Sequence, residues 1–136
     1  MKNRTKITEA VKFHGHLGPY LLLGILAGEF ALKKLRAEKY FGIEVKVYGA
    51  NRKPKSCLID GLQLSTGATY GKGNICRIAD NKIKILILNL KNRKKIILKL
   101  KKDLIDRLDN LKGHKESELF AMEIIKLARE KLFDFE

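Results

Sequence analysis

Two imidazoles stand two residues apart in Phe13-His14-Gly15-His16-Leu17-Gly18-Pro19-Tyr20. In a turn, His14 and His16 at that spacing can converge on one metal ion, and imidazole is a common zinc donor. A satisfied, purely structural turn uses the same residues, so spacing alone leaves both readings open. A second group is Cys57-Leu58-Ile59-Asp60-Gly61-Leu62-Gln63. On a helix, Cys57, Asp60 and Gln63 fall at i, i+3 and i+6, one polar stripe beside an apolar one. Cys57 would sit in the first turn, where the positive helix end favours thiolate. The plainer alternative turns the stripe to solvent and makes Cys57 a small core residue.

A third stretch, Thr66-Gly67-Ala68-Thr69-Tyr70-Gly71-Lys72-Gly73-Asn74, has the look of a phosphate-binding loop. The match fails on chemistry. Its spacer is one residue short, and Gly73 stands where a metal-binding hydroxyl belongs. What is left is a turn whose backbone N–H groups and Lys72 could hold an anionic group, or else an ordinary loop. The fourth feature is the run from Lys91 to Lys102, with seven Lys and Arg and no acid. Single-strand nucleic-acid binders interleave aromatics for base stacking, and none occurs here. A solvated sheet edge protected by charge is the expectation.

The elements that must position these groups follow from periodicity. Residues 5–12 form a short leading helix, with Thr5 or Thr8 as caps. Pro19 suits the first turn of a long helix running to about Lys39, apolar nearly all round in its first half. Gly24 and Gly28 leave one face open to a close backbone neighbour, and Gly42 ends the segment. Ile43 to Tyr48 alternates as a strand. Ser56 is placed to cap a helix over about Cys57–Ser65, closed by Gly67 in a left-handed conformation. Strands follow at about 75–79 and 82–90, joined by an Asp80-Asn81 hairpin turn, and at 94–98. Helices then cover about 100–111, ending at Gly113, and about 116–132. Helices at both ends around a largely antiparallel or mixed sheet make this an α+β chain with a single layer of sheet.

The 136 residues suit one domain spanning 1–136 with a real apolar core. Two cysteines, Cys57 and Cys76, are too few for a disulfide framework and read as reduced thiols of a cytoplasmic protein. The segment Met1–Lys6 is basic without an apolar run behind it, so no export signal is expected. The longest uncharged apolar stretch, Leu17 to Gly28, falls short of the ~20 residues a membrane span needs. A net charge of +14 raises nucleic acid or an acidic partner as alternatives, though Lys- and Ile-rich composition also fits a thermophile.

Taken in order, the His14/His16 turn, the Cys57-x-x-Asp60-Gly61-x-Gln63 stripe and the Thr66–Asn74 loop resemble the signature of the FmdE proteins of formylmethanofuran dehydrogenase. The resemblance covers roughly residues 10 to 90. It implies an α+β core, a homodimer, and a pocket in which His14, His16 and Cys57 bind a divalent metal such as zinc. By the same analogy Asp60 is a proton carrier beside Cys57, and Gln63, Thr66, Lys72, Gly73 and Asn74 face an anionic small-molecule substrate. The family's setting is archaeal one-carbon metabolism and methanogenesis, as an enzyme or in an accessory role. Family members usually carry Cys where this chain has Gly18 and Ala68, so a thiol-redox role is not expected. A basic binding module, or a relative whose metal site has decayed, are the competing readings.

Overall fold

The computed structural model describes residues 5–136; the first four residues of the basic leading segment lie outside them. The chain runs α1 (Ile7–His14), α2 (Pro19–Leu35), a 3-10 turn (Tyr40–Gly42), β1 (Ile43–Tyr48), α3 (Cys57–Thr66), β2 (Ile75–Ile78), β3 (Lys84–Asn89), β4 (Lys95–Leu100), α4 (Lys102–Asp109), α5 (Gly113–Ile124), a second 3-10 turn (Arg129–Lys131) and β5 (Phe133–Phe135). The strands form a five-stranded sheet in the order β2-β1-β3-β4-β5. β1 pairs with β2 in parallel, and the remaining neighbours are antiparallel. The architecture is α+β with one mixed sheet.

The apolar alternation of β1 puts Ile43, Val45 and Val47 on one buried face, joined by Ile85, Ile87, Ile96 and Leu98 from β3 and β4. α2 lies within this core, with Leu21, Leu23 and Ala27 fully buried. Its partner is α3. Gly24, Gly28 and Gly61 let the two helices approach until backbone meets backbone: a Cβ on Gly24 would run into the Leu58 carbonyl, and one on Gly61 into that of Leu21. The Ser65 hydroxyl spans this contact, 2.9 Å from the Gly61 carbonyl and 3.2 Å from that of Gly24.

Several local expectations give way to tertiary contacts. Asp80-Asn81 is not a hairpin turn, because β2 and β3 flank β1 on opposite sides and the chain must cross the end of β1. Gly49 makes that crossing possible, since any side chain there would strike the backbone of Lys82, and Asn51 holds Asp80 through its side-chain amide, which donates at 2.9 Å to the Asp80 carbonyl. α2 stops at Leu35 instead of Lys39, with Arg36 in the left-handed region at φ 50°. Neither Thr5 nor Thr8 caps α1; the Thr5 N–H donates instead to the Glu29 carboxylate at 2.8 Å, tying the leading segment to α2. Ser56 makes no side-chain cap either, because the preceding turn occupies the first N–H groups of α3, Cys57 donating to the Pro54 carbonyl at 3.1 Å.

The C-terminal region differs most. Gly113, at φ 76°, opens α5 instead of closing the preceding helix, and α5 ends at Ile124. The chain then turns extended at Ala128 and returns as β5, whose Phe133 is buried and packs near Phe30 with ring centroids 6.3 Å apart. β5 pairs with β4, so the basic run does not guard a bare edge. It occupies a turn and an interior strand, and Lys101 pairs with Asp134 of β5 at 2.6 Å. Among the described residues, no helix is long and apolar enough to cross a membrane.

Candidate functional site

His14 is the last residue of α1, and Gly15 ends that helix at φ 112° with its N–H donating to the Val11 carbonyl at 2.7 Å. The abrupt stop turns the imidazole toward α3. There His14 Nδ1 lies 2.6 Å from Asp60 Oδ2, with the two side chains 11% and 35% exposed. With Nδ1–H donating to the carboxylate, the neutral ring presents Nε2 as its free lone pair. The second Asp60 oxygen, Oδ1, is 3.5 Å from the Gln63 amide nitrogen, and Gln63 Oε1 accepts the Tyr70 N–H at 3.0 Å. Asp60 and Gln63 of the polar stripe are therefore linked to the His14 turn and to the glycine-rich loop.

Cys57 stands one turn before Asp60 on α3 and is half-buried. Burial pushes its thiol above the ordinary value, the Asp60 charge adds to the rise, and Lys53 offsets part of it. This corrects the expectation of a helix-stabilised thiolate: at the first turn of this ten-residue helix, desolvation and a neighbouring carboxylate outweigh the helix field. Both cysteines are free thiols, and Cys76 is exposed on the edge strand β2.

The ring of His16 lies beside His14 at a centroid distance of 5.2 Å. On its other side, 5.4 Å away, lies His114 of α5. Nothing in the linear spacing points to His114; only folding brings it to the turn. Tyr20, in the first turn of α2, is buried, and burial together with the Asp109 charge pushes its phenol up to about 12. Zinc chemistry suits the histidine and cysteine donors. Even so, no group of three or more His, Cys, Asp or Glu among the described residues is arranged to hold a metal ion. The centre is not preassembled.

The remaining residues of the loop divide by role. Thr66 is fully buried; its hydroxyl donates to the Leu62 carbonyl at 2.6 Å and accepts from the Ala68 N–H at 3.1 Å, which commits it to the end of α3. Asn74 staples the loop, accepting from the Thr69 N–H at 3.0 Å and donating to the Tyr40 carbonyl at 2.7 Å. Lys72 reaches the Thr69 hydroxyl at 3.3 Å and lies over the Tyr40 and Phe41 rings. Gly73 is exposed at φ 74° with open space beside it. Gln63 lines an open cleft of about 300 Å³ with Phe13, Leu64, Thr69, Tyr70 and Gly71.

Comparison with known proteins places this arrangement. The family described as "FmdE, Molybdenum formylmethanofuran dehydrogenase operon" matches residues 13–134, a range that holds every side chain of the site. A probable S-adenosyl-L-methionine-binding protein of Archaeoglobus fulgidus is 30% identical over 89 residues, 65% of this chain; the chain spans 24% of that protein. The crystal structure of a tungsten formylmethanofuran dehydrogenase FmdE-like protein from Syntrophus aciditrophicus superposes with a TM-score of 0.68 at 18% identity. That match covers 96% of this chain and 68% of the other, and shows a shared fold. With a family match running from the histidine turn to the final strand, the chain belongs to the FmdE family.

Proposed function

We propose that this FmdE-family chain is a metal-binding module of one-carbon chemistry related to formylmethanofuran dehydrogenase, acting in archaeal methanogenesis as an enzyme or in an accessory role. The observation that carries it is the His14–Asp60 contact at 2.6 Å. A carboxylate on one imidazole nitrogen fixes the ring and leaves the other nitrogen directed outward, the arrangement found behind metal-bound histidines. His14 Nε2, His16 and Cys57 are the proposed ligands of a divalent ion, zinc by donor type. Since these groups are not preassembled, binding needs His16 and Cys57 to swing inward. Such an ion, when bound, supplies a Lewis acid for a carbonyl or for water.

The protein's own share is orientation and proton handling. Asp60 holds the His14 ring and is the proposed proton carrier, one helical turn from the Cys57 thiol. Gln63 fixes Asp60 and lines the cleft, where a small substrate would bind against Phe13 and Tyr70. The net charge of +14 and the Lys72 ammonium favour an anionic one. A homodimer is part of the proposal. Support comes from the outer sheet face, where Tyr48, Leu86, Leu88 and Ile97 are only partly covered.

Elemental analysis of untagged protein tests the central claim. About one zinc per chain is expected, reduced in His14→Ala and Cys57→Ser. Full occupancy retained in both variants would remove the proposed ligand set.

A further inference from the structure

The geometry points to His114 as a third imidazole ligand of the metal, brought to the His14–His16 turn by the start of α5. This rests on the metal-binding reading above and deepens it by naming a ligand from the C-terminal half. The chain has three histidines, and all three fall in one row, His14–His16 at 5.2 Å and His16–His114 at 5.4 Å between ring centroids. Two imidazoles on one tetrahedral zinc, each with Zn–N of about 2.0–2.1 Å, place their centroids roughly 5 Å apart. Both observed separations have that size.

The rings are also splayed, at 58° and 83°, not stacked face to face. His14 is the fixed member, held by Asp60 with Nε2 free. His16 and His114 are exposed, so their rings can rotate toward a shared ion without displacing any core side chain. That rotation is required, since three donor atoms do not yet converge. The backbone beneath is well seated. Tyr20 of α2 is buried and feels the charge of Asp109, the last residue of α4, from which a short turn leads to Gly113 at the start of α5. Three neutral imidazoles select a borderline divalent ion such as Zn²⁺ or Co²⁺ over Mg²⁺ or Ca²⁺. Binding would clamp the first turn of α5 to the α1–α2 turn.

The test is Zn²⁺ affinity by chelator competition on the full chain, with hydrogen exchange of α5 read in parallel. His114→Ala is expected to weaken Zn²⁺ about tenfold or more, since losing even an outer partner of a ligand costs roughly 10–100-fold. His114→Asp keeps a donor and should recover much of the loss. Zn²⁺ should slow amide exchange at the start of α5 in the parent and not in His114→Ala, a readout that a purely packing role for His114 would leave unmoved. Unchanged affinity in His114→Ala, with His14→Ala impaired, overturns the role of His114 and leaves the metal site standing. A parent protein that binds no Zn²⁺ overturns both.

Discussion

At the scale of single residues, Asp60 does two things at once. It accepts from the His14 ring, and it raises the neighbouring Cys57 thiol, which burial has already raised. Asp60→Asn removes the charge and leaves the burial, so Cys57 should titrate lower than in the parent. The measurement is the pH profile of thiol alkylation, with exposed Cys76 as the internal reference; an unmoved or raised profile at Cys57 contradicts it. The same variant loses the acceptor that selects the Nδ1–H tautomer of His14. Nitrogen NMR should find Nε2 unprotonated in the parent and a mixed population in Asp60→Asn. Tyr20 offers a separate test by pH. Its phenol is raised from 10.0 to about 12, so the fold favours the neutral form. The stability it contributes is full below the ordinary phenol value of 10.0 and lost as pH climbs toward about 12. Its size is about 2–3 kcal/mol on the linkage relation. Denaturation curves for Tyr20→Phe should decline less steeply than the parent across that window.

At the scale of elements, the α2–α3 pair carries the site, because Gln63, Asp60 and Cys57 are placed by how closely α3 lies on α2. That closeness depends on Gly24 and Gly61, where an added methyl group meets carbonyl oxygen and backbone of the opposite helix, not a side chain that could move aside. Gly24→Ala should destabilise by about 1–3 kcal/mol, the range for overpacking, or more. Gly73→Ala makes the comparison. It has open space but φ 74°, so it should cost only about 1 kcal/mol of backbone strain. Urea midpoints for the two variants distinguish steric collision from strain; equal losses would show that the helices separate freely.

At the scale of the whole molecule, the sheet is closed on one side by a strand from the far end of the chain. Phe133 is 1% exposed and packs near Phe30 of α2, so β5 links β4 to the central helix. Phe133→Ala should cost about 3–5 kcal/mol, as expected for emptying a buried aromatic site, and calorimetry or urea unfolding measures it. A loss below about 1 kcal/mol would mean that β5 is an ornament of the sheet and not part of its core.

Much of the molecule is legible from periodicity and punctuation. The apolar alternation of Ile43–Tyr48, the all-round apolar face of α2, the glycines at 24 and 28, and Gly67 as a left-handed helix end all act through neighbours a few residues away, so their pattern survives in the linear chain. The stripe of Asp60 and Gln63 is of the same kind, since a helix repeats every ~3.6 residues wherever it lies. Decisions made between distant segments are not visible there. The side of β1 on which β2 pairs is hidden, as is the return of residues 133–135 into the sheet in place of further helix. So is the meeting of His114 with the histidine turn. Each depends on which surfaces remain unburied once the other elements have packed, a property of the assembled core that no window of sequence contains.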